Sequence, residues 1–437
     1  MLRTKDLDLL EQIYQEKKSS LSLVFGQTGI GKTEFVKEFA SGKDFLYLNC
    51  LEIIPSLQVE FFKVLIAKHF DIAENKLYFT SLFDILKFIS LQDIKKNKLV
   101  VIIDDFHNLM KSDKNALKQL VTFWNSFKDE LNEYFHFIIT SSIKGSSDQE
   151  LTLQKKATNI LELKELPYDM LNEILPNIEK KDIMYIYSAF GVQPSILKEY
   201  DINKDVLTNI KNLILEKDSS FFDYGERLIK SNLSEIATYN SILFAIARGS
   251  NKIGEIAKVL EVKSSYLTRY IQKLIDLMII DKKVPIDDDK NKSKFGRYYI
   301  TNRLVNFWYC YVYPNYSDLK KGNDYPIINL IRRDFSSRIV QHAYKDHILE
   351  MIQSNPVKYI GFDPLKIGSW WNNTNDELDI IAYNKTKIAY VACKWKKRES
   401  NSFTYSNLKA KSNLYTTNLE KSFLIFSKTS QLKSNVK

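Results

Sequence analysis

The chain has 437 residues, of which 44% are hydrophobic and 13% aromatic, a composition that supports packed cores and excludes a largely disordered protein. It has no apolar run of about 18 residues, its start lacks the apolar stretch of a signal peptide, and its three cysteines form no metal or disulfide pattern. We therefore expect a cytoplasmic protein of about two to four domains without a membrane partner.

The net charge of +10 is concentrated at the carboxyl end of the chain. Residues 383–437 contain 12 Lys/Arg and 2 Asp/Glu, so the remainder is close to neutral. A basic segment of this size suits nucleic acid or another acidic partner. A lysine-rich surface without a specific partner is the alternative.

The first predicted strand leads into a phosphate-binding loop. An apolar run over 21–25 predicts a buried parallel strand, and a glycine-rich turn and a helical pattern follow it. This order is that of a P-loop. The loop residues are Gly26, Gln27, Thr28, Gly29, Ile30, Gly31, Lys32 and Thr33. Its amides would surround a β-phosphate, Lys32 would bridge the β- and γ-phosphates, and Thr33 would ligate Mg²⁺. The pattern predicts an ATP and Mg²⁺ site.

Two acids end a second buried strand. The apolar run 99–103 is followed by Asp104, which we expect to hold the Mg²⁺ shell, and by Asp105. Asp105 lies where many P-loop ATPases place a water-activating carboxylate, usually a glutamate. Because aspartate is one methylene shorter, we expect slow hydrolysis.

A third strand, "YFHFIITSS", ends in hydroxyl side chains. In ATPases with a strand inserted between the P-loop and acidic strands, a polar residue here touches the γ-phosphate or the attacking water. Thr140 or Ser141 would fill that role, and capping of the next turn is the alternative. With further strands at 44–50 and near Ile160, we predict a five-stranded parallel sheet with helices on both faces.

These motifs resemble the archaeal-type ATPase family, within the STAND class of AAA+-like P-loop ATPases. The matching segments are "GQTGIGKT", "VIIDDFHNL", "IITSS" and "GVQPSIL", within about residues 1–200. The resemblance implies a helical lid after the sheet and places Pro194 near the nucleotide. The family's usual acid pair is Asp-Glu, and Asp105 departs from it.

Short helices after residue 236 resemble the winged helix-turn-helix of the same family. Helical spacing predicts helices over 253–260 and after Ser264 or Ser265, followed by a hairpin. The candidate nucleic-acid contacts are Arg269, Gln272 and Lys273 on the second helix and Lys292, Lys294 and Arg297 on the wing. Because the wing also carries acids at 287–289, protein docking is the alternative to DNA.

The last part of the chain, from about residue 315, resembles the PD-(D/E)xK nuclease-like domain that follows such ATPases. An active domain has an acid on one strand and Glu-x-Lys on its neighbour, where the two acids hold Mg²⁺. Asp379 and Lys394 match this pattern, but Ala392 stands in the place of the second acid. Glu377, two residues before Asp379, faces the same side of the strand and could supply one coordination position. A degenerate nuclease fold is predicted. A nuclease with a displaced ligand and an unrelated hairpin are the alternatives.

These patterns together predict a multidomain α/β protein. A P-loop NTPase core with a parallel sheet is expected over 1–165, a helical lid over 166–235 and a winged helix-turn-helix over 236–300. An aromatic helix, whose Phe307, Trp308 and Tyr311 we expect to pack in the core, and a C-terminal α/β restriction-nuclease-like domain follow over 301–437. We expect an ATP-binding, slowly hydrolysing switch associated with DNA. An ATP-regulated nuclease and an ATP-dependent protein-docking scaffold are the alternatives.

Overall fold

A computed structural model describes most of the chain. The described residues are 3–94, 98–128, 130–131, 134–142, 148–230, 233–374, 376–395, 401–415, 417–428 and 430–434. The chain divides into a first compact unit, residues 1–166 with 273–279, and a second, residues 167–272 with 280–437. The basic residues at 396–398, part of the charged carboxyl end, lie outside the described residues.

The first unit alternates strands and helices along the chain. Its elements are α1 (Thr4–Gln15), β1 (Ser20–Gly26), α2 (Lys32–Ala40), β2 (Phe45–Asn49), α3 (Pro55–Phe70), α4 (Leu82–Ser90), β3 (Leu99–Asp104), α5 (Phe106–Ser112), α6 (Ala116–Phe127), β4 (Phe135–Ser141), α7 (Asp148–Lys156) and β5 (Asn159–Leu163).

The five strands of the first unit form one parallel sheet in the order β2-β3-β4-β1-β5. Alternate residues of β1, β2, β3 and β4 enter two separate cores. Leu23, for example, packs with the helices α3 to α6, and Val24 with α1 and α2. The predicted parallel sheet with helices on both faces is confirmed. Because all strands run the same way, the residues that follow β1, β3 and β4 meet at one edge of the sheet.

The second unit is mainly helical before its five-stranded sheet, which begins at Lys366. Its helices are α8 (Leu171–Ile174), α9 (Lys180–Phe190), α10 (Pro194–Leu197), α11 (Val206–Ile210), α12 (Tyr224–Lys230), α13 (Ile236–Ala247), α14 (Ile253–Val259), α15 (Ser264–Asp276, whose last residues belong to the first unit), α16 (Arg303–Phe307), α17 (Tyr316–Lys320), α18 (Tyr325–Phe335), α19 (Gln341–Ser354), α20 (Pro356–Ile360) and α21 (Asn401–Ser412). Its strands are β6 (Ile280–Lys283), β7 (Arg297–Ile300), β8 (Lys366–Trp371), β9 (Glu377–Tyr383), β10 (Lys387–Lys394), β11 (Glu420–Ser427) and β12 (Ser430–Ser434). Among the described residues, no helix has the length and apolar character that crossing a membrane would need.

The segment from α13 to β7 has three helices followed by an antiparallel hairpin. This is the order of elements that the sequence predicted for a winged helix, and the assignment as a winged helix stays a prediction. The aromatic residues after the hairpin are buried: Phe307 and Tyr311 are 0% exposed, and Trp308 is 1% exposed. They pack as core, as expected from the sequence.

The larger sheet of the second unit has the order β12-β11-β10-β9-β8. β10 and β11 are parallel and the other neighbours are antiparallel. The resemblance to a nuclease-like domain also implies a strand near Ile360, and that expectation is wrong, because residues 356–360 form the helix α20. Its first turn begins at Pro356, and the Asn355 side chain accepts a hydrogen bond from the Lys358 amide, a cap that stabilises a helix start.

Candidate functional sites

The phosphate-binding loop connects β1 to α2 at the carboxyl edge of the first sheet. Gly29 and Gly31 have φ angles of 83° and 91°, a left-handed backbone that glycine adopts without steric cost. Gly31 is the N-cap of α2, so the positive end of the helix faces the loop. A Cβ atom on Gly26 would lie 2.8 Å from Cγ2 of Ile30, so the loop closes too tightly there for a side chain. This is the geometry that phosphate binding by backbone amides requires.

The Lys32 ammonium folds back over this loop. Its Nζ donates hydrogen bonds to the backbone oxygens of Gly26 at 3.0 Å and Gln27 at 3.4 Å, and the side chain is buried. Burial lowers the pKa of Lys32, and the charges of Asp105 and Asp104 only partly oppose this shift. An incoming triphosphate would offer charged oxygens to an ammonium that burial has already separated from water.

Three hydroxyl groups surround the buried Asp104 carboxylate. Thr33 Oγ1 and Tyr47 OH donate to Asp104 Oδ2 at 2.7 and 2.6 Å, and Thr140 Oγ1 donates to Oδ1. The sequence predicted Thr33 and left Thr140 and Ser141 as alternatives. Of these two, Thr140 makes the contact with the acid, and strand alternation points Ser141 to the other face. Tyr47 was missed, although it brings a hydroxyl group into the apolar run of β2.

The residues at this edge fit a magnesium ion carried by a nucleotide. Mg²⁺ prefers hard oxygen ligands, and Thr33 with Asp104 supplies a hydroxyl and a carboxylate. Because Thr33 uses its proton to reach Asp104, its lone pairs stay available for a cation. The described residues contain no group of three or more His, Cys, Asp or Glu side chains that could hold a metal ion. The remaining ligands would therefore be phosphate and water oxygens.

Asp105 is held in an unusual backbone conformation. Its φ and ψ are 52° and 42°, left-handed values that cost a non-glycine residue energy and cluster at functional sites. Its amide donates to Thr140 Oγ1 at 2.9 Å, so one hydroxyl contacts both acids of the strand end. Burial raises the pKa of Asp105, while the Lys32 charge opposes the shift.

A histidine that the sequence did not single out packs against Asp105. His107 Nδ1 lies 3.9 Å from Asp105 Oδ1, and His107 Nε2 lies 2.8 Å from Ser142 Oγ. The Ser142 amide donates to Nδ1 at 3.4 Å, which assigns the ring proton to Nε2. Burial lowers the pKa of His107 to about 3, so the ring is neutral at physiological pH. His107 is therefore a neutral neighbour of Asp105 and adds no charge beside it.

Two family models match parts of this chain. Residues 2–200 match the ATPase_2 model, described as an ATPase domain predominantly from Archaea. The chain carries an archaeal-type ATPase domain. Residues 308–405 match a second model, DUF234, described as "Archaea bacterial proteins of unknown function".

Individual relatives of this chain are distant. An uncharacterized protein of Methanocaldococcus jannaschii is 27% identical over 444 residues, covering 99% of this chain and 96% of that protein. A Walker-type ATPase of Pyrococcus abyssi is 15% identical over 71% of this chain and 96% of its own, with a TM-score of 0.48. The ORC2 protein of Aeropyrum pernix, solved as ADPNP-ADP complexes, is also 15% identical, over 74% and 95%, with a TM-score of 0.44. A STAND protein with a tetratricopeptide repeat sensor from Pyrococcus horikoshii is 16% identical over 82% and 54%, with a TM-score of 0.32. All three TM-scores are below 0.5.

The other predicted site residues, Pro194 and the nucleic-acid candidates, lie in different parts of the chain. Pro194 begins α10 in the second unit, and its place near the nucleotide stays a prediction. Arg269 and Gln272 are exposed on α15, whereas Lys273 belongs to the first unit. Lys292 and Lys294 are exposed in the connection between β6 and β7.

Arg297 is withdrawn as a nucleic-acid candidate. Its side chain is 9% exposed, its Nη1 lies 2.8 Å from Glu377 Oε2, and its guanidinium lies 4.6 Å from the centre of the Trp371 ring. The connection between β6 and β7, which carries the acids at 287–289, also contacts other parts of the second unit. Asp287 accepts hydrogen bonds from Tyr383 and Tyr415, both at 2.5 Å. The hairpin is thus attached to the larger sheet of the second unit.

The predicted nuclease residues are only partly brought together. Glu377 and Asp379 share one face of β9, and both contact Lys345 from α19. Lys394 lies on the opposite face, because alternation along β10 groups it with Ala392 and Tyr390, which pack with Leu408 of α21.

A bulge in β9 explains why the expected pairing is wrong. Gly368 pairs with Ile381, but Trp370 pairs with Leu378, so β9 has one residue more than β8 in this stretch. The extra residue shifts the alternation, and Cys393, whose amide donates to Asp379 Oδ2 at 2.9 Å, takes the place beside Asp379 that was expected for Ala392.

Proposed function

We propose that this protein is a slowly hydrolysing, ATP-dependent switch whose second unit associates with DNA. The observation that supports the switch is the Thr140 hydroxyl, which contacts the Asp104 carboxylate and the Asp105 amide. A change at either acid on nucleotide binding or hydrolysis would be transmitted to the end of β4.

In this proposal the chain's own residues bind and orient the nucleotide. The loop amides and Lys32 hold the phosphates, and Thr33, fixed by Asp104, faces the cation. Mg²⁺, when bound with ATP, neutralises charge on the β- and γ-phosphates. Asp105 orients the attacking water and takes its proton. Since its carboxylate is one methylene shorter than glutamate, proton transfer is slow.

Nucleotide binding tests the first part of the proposal. Equilibrium titration with a fluorescent ATP analogue is expected to show tight, Mg²⁺-dependent binding that Lys32→Ala weakens strongly. Lys68→Ala, on α3, is the matched control, because Lys68 carries the same charge and is exposed outside the loop. If Lys32→Ala binds as well as the parent protein, the nucleotide site is wrong.

Exposed cationic side chains support the DNA part of the proposal. Arg269 has a side chain that is 66% exposed, although Glu235 at 3.5 Å partly neutralises it. Lys292 and Lys294 are also exposed. Binding through such groups releases counterions and weakens steeply with salt, by a slope of about −0.9 per phosphate contact on a log–log scale.

A low-salt DNA titration with and without ATP tests this part. We expect salt-dependent binding that changes with nucleotide and weakens in an Arg269→Ala, Lys292→Ala variant. Lys114→Ala, an exposed lysine of the first unit, is the control. Nucleotide-dependent behaviour without any DNA binding would favour a protein-docking scaffold instead.

A further inference from the structure

The two carboxylates of β9 have a partner for each of their four oxygens. Glu377 Oε1 contacts Lys345 Nζ, and Oε2 lies 2.8 Å from Arg297 Nη1. Asp379 Oδ1 lies 3.7 Å from Lys345 Nζ, and Oδ2 accepts the Cys393 amide at 2.9 Å. Lys345 therefore lies between the two acids, where one oxygen of each faces the same cation.

The charges of this cluster cancel within the chain. Two carboxylates face one ammonium and one guanidinium. Burial raises the pKa of Cys393 well above its usual value, so its thiol adds no negative charge. Burial by itself would lower the pKa of Lys345, but Asp379 and Glu377 outweigh burial and raise it, so the ammonium stays charged. A divalent cation would bring two further positive charges into a cluster that is already neutral.

A nuclease-like site implies Mg²⁺, and the residues here do not fit it. Mg²⁺ needs near-octahedral oxygen ligands at about 2.0–2.1 Å. Three of the four oxygens already accept hydrogen bonds, from Lys345, Arg297 and a backbone amide. The fourth, Asp379 Oδ1, faces the Lys345 ammonium at 3.7 Å. Lys394, the expected catalytic lysine, is on the other face of the sheet.

We propose that the Lys345 ammonium permanently occupies the cation position of the Glu377–Asp379 pair, so that the second unit supplies its own cation and binds no divalent metal there. The carboxylates then serve to connect elements. Arg297 comes from β7, Lys345 from α19 and the acids from β9. Trp371 Nε1 donates to the Phe295 carbonyl at 2.8 Å and reinforces the same junction. The cluster attaches the β6–β7 hairpin to the sheet and has no hydrolytic role.

Manganese binding to the full-length, nucleotide-free protein tests the proposal. Mn²⁺ reports on Mg²⁺-type sites by electron paramagnetic resonance, and thermal unfolding is followed with and without Mn²⁺. In the wild-type protein we expect no Mn²⁺ binding that depends on Asp379, and no rise in Tm from this site. Lys345→Met keeps the length of the side chain and removes its charge, which frees one oxygen of each acid.

Lys345→Met is expected to lower Tm by several degrees, to gain about one Mn²⁺ site and to recover part of the lost Tm at on the order of 1 mM Mn²⁺. The double variant Lys345→Met, Asp379→Asn should lose the gained site. Lys283→Met is the matched control, because it removes a lysine 2.8 Å from the single carboxylate of Asp346, where Arg303 remains.

Two results would overturn the proposal. One is Asp379-dependent Mn²⁺ binding by the wild-type protein, which needs no variant to fold. The other is a folded Lys345→Met protein that gains neither a Mn²⁺ site nor metal-dependent stability, because the lysine would then be an ordinary ion-pair partner.

Discussion

Two substitutions of Thr140 test the nucleotide site, because Thr140→Val keeps the shape of the side chain and Thr140→Ser keeps its hydroxyl group. Thr140→Val removes a hydrogen bond to an ionised carboxylate, which contributes about 1.5–3 kcal/mol, and leaves the Asp105 amide without its acceptor, which costs about 1–3 kcal/mol more. Thr140→Ser loses one buried methyl group, about 1 kcal/mol. Since such terms are not fully additive, we expect valine to lower the free energy of unfolding by about 1–4 kcal/mol more than serine.

The catalytic effect should differ from the effect on binding. Thr33 and Tyr47 still hold Asp104 in the valine variant, so nucleotide affinity should fall less than about tenfold, while kcat falls about 10- to 100-fold because both acids lose their common contact. Urea unfolding without nucleotide, analogue titration and phosphate-release kinetics measure the three quantities. A valine variant whose stability and kcat equal those of the serine variant would refute the role given to this hydroxyl.

Three further predictions concern the acids and their partners. Asp105→Glu should raise kcat about tenfold at unchanged nucleotide affinity, because it restores the missing methylene, and unchanged or slower phosphate release would contradict this. Tyr47→Phe should raise the Mg²⁺ concentration for half-maximal hydrolysis about three- to tenfold, because Asp104 loses one of its hydrogen bonds, and should leave analogue binding without Mg²⁺ unchanged. The control Tyr14→Phe removes a hydroxyl contact elsewhere in the same unit and should alter neither quantity. Burial raises the pKa of Glu377, but Lys345 and Arg297 outweigh burial and lower it from 4.5 to about 2. The unfolded state therefore binds more protons than the folded state between these pH values, and this part of the stability should be lost as pH falls from about 4.5 to 2, less so in Lys345→Met, as acid-unfolding curves would show.

The nucleotide site could be predicted because its signals are local. Gly26, Gly31 and Lys32 lie within one turn, and Asp104 follows directly on an apolar strand, so short patterns specify both the backbone and the chemistry. Parallel strands then bring their carboxyl ends to one edge whatever the lengths of the connections. The partners that complete the site were not predicted in the same way. Tyr47 reaches Asp104 from a neighbouring strand, and no local pattern marks that contact.

The sequence by itself determined the phosphate loop, the acids of β3, the individual strands of the parallel sheet and the burial of the aromatic helix, since each depends on residues close together in the chain. Only the tertiary structure decided which cation Glu377 and Asp379 contact. A single extra residue in β9 moved Asp379 away from the face of Lys394, and α19 placed Lys345 beside it from 34 residues earlier in the chain. Strand register and helix packing are set by the whole unit, and therefore a motif read from one strand could not specify which cation its carboxylates would meet.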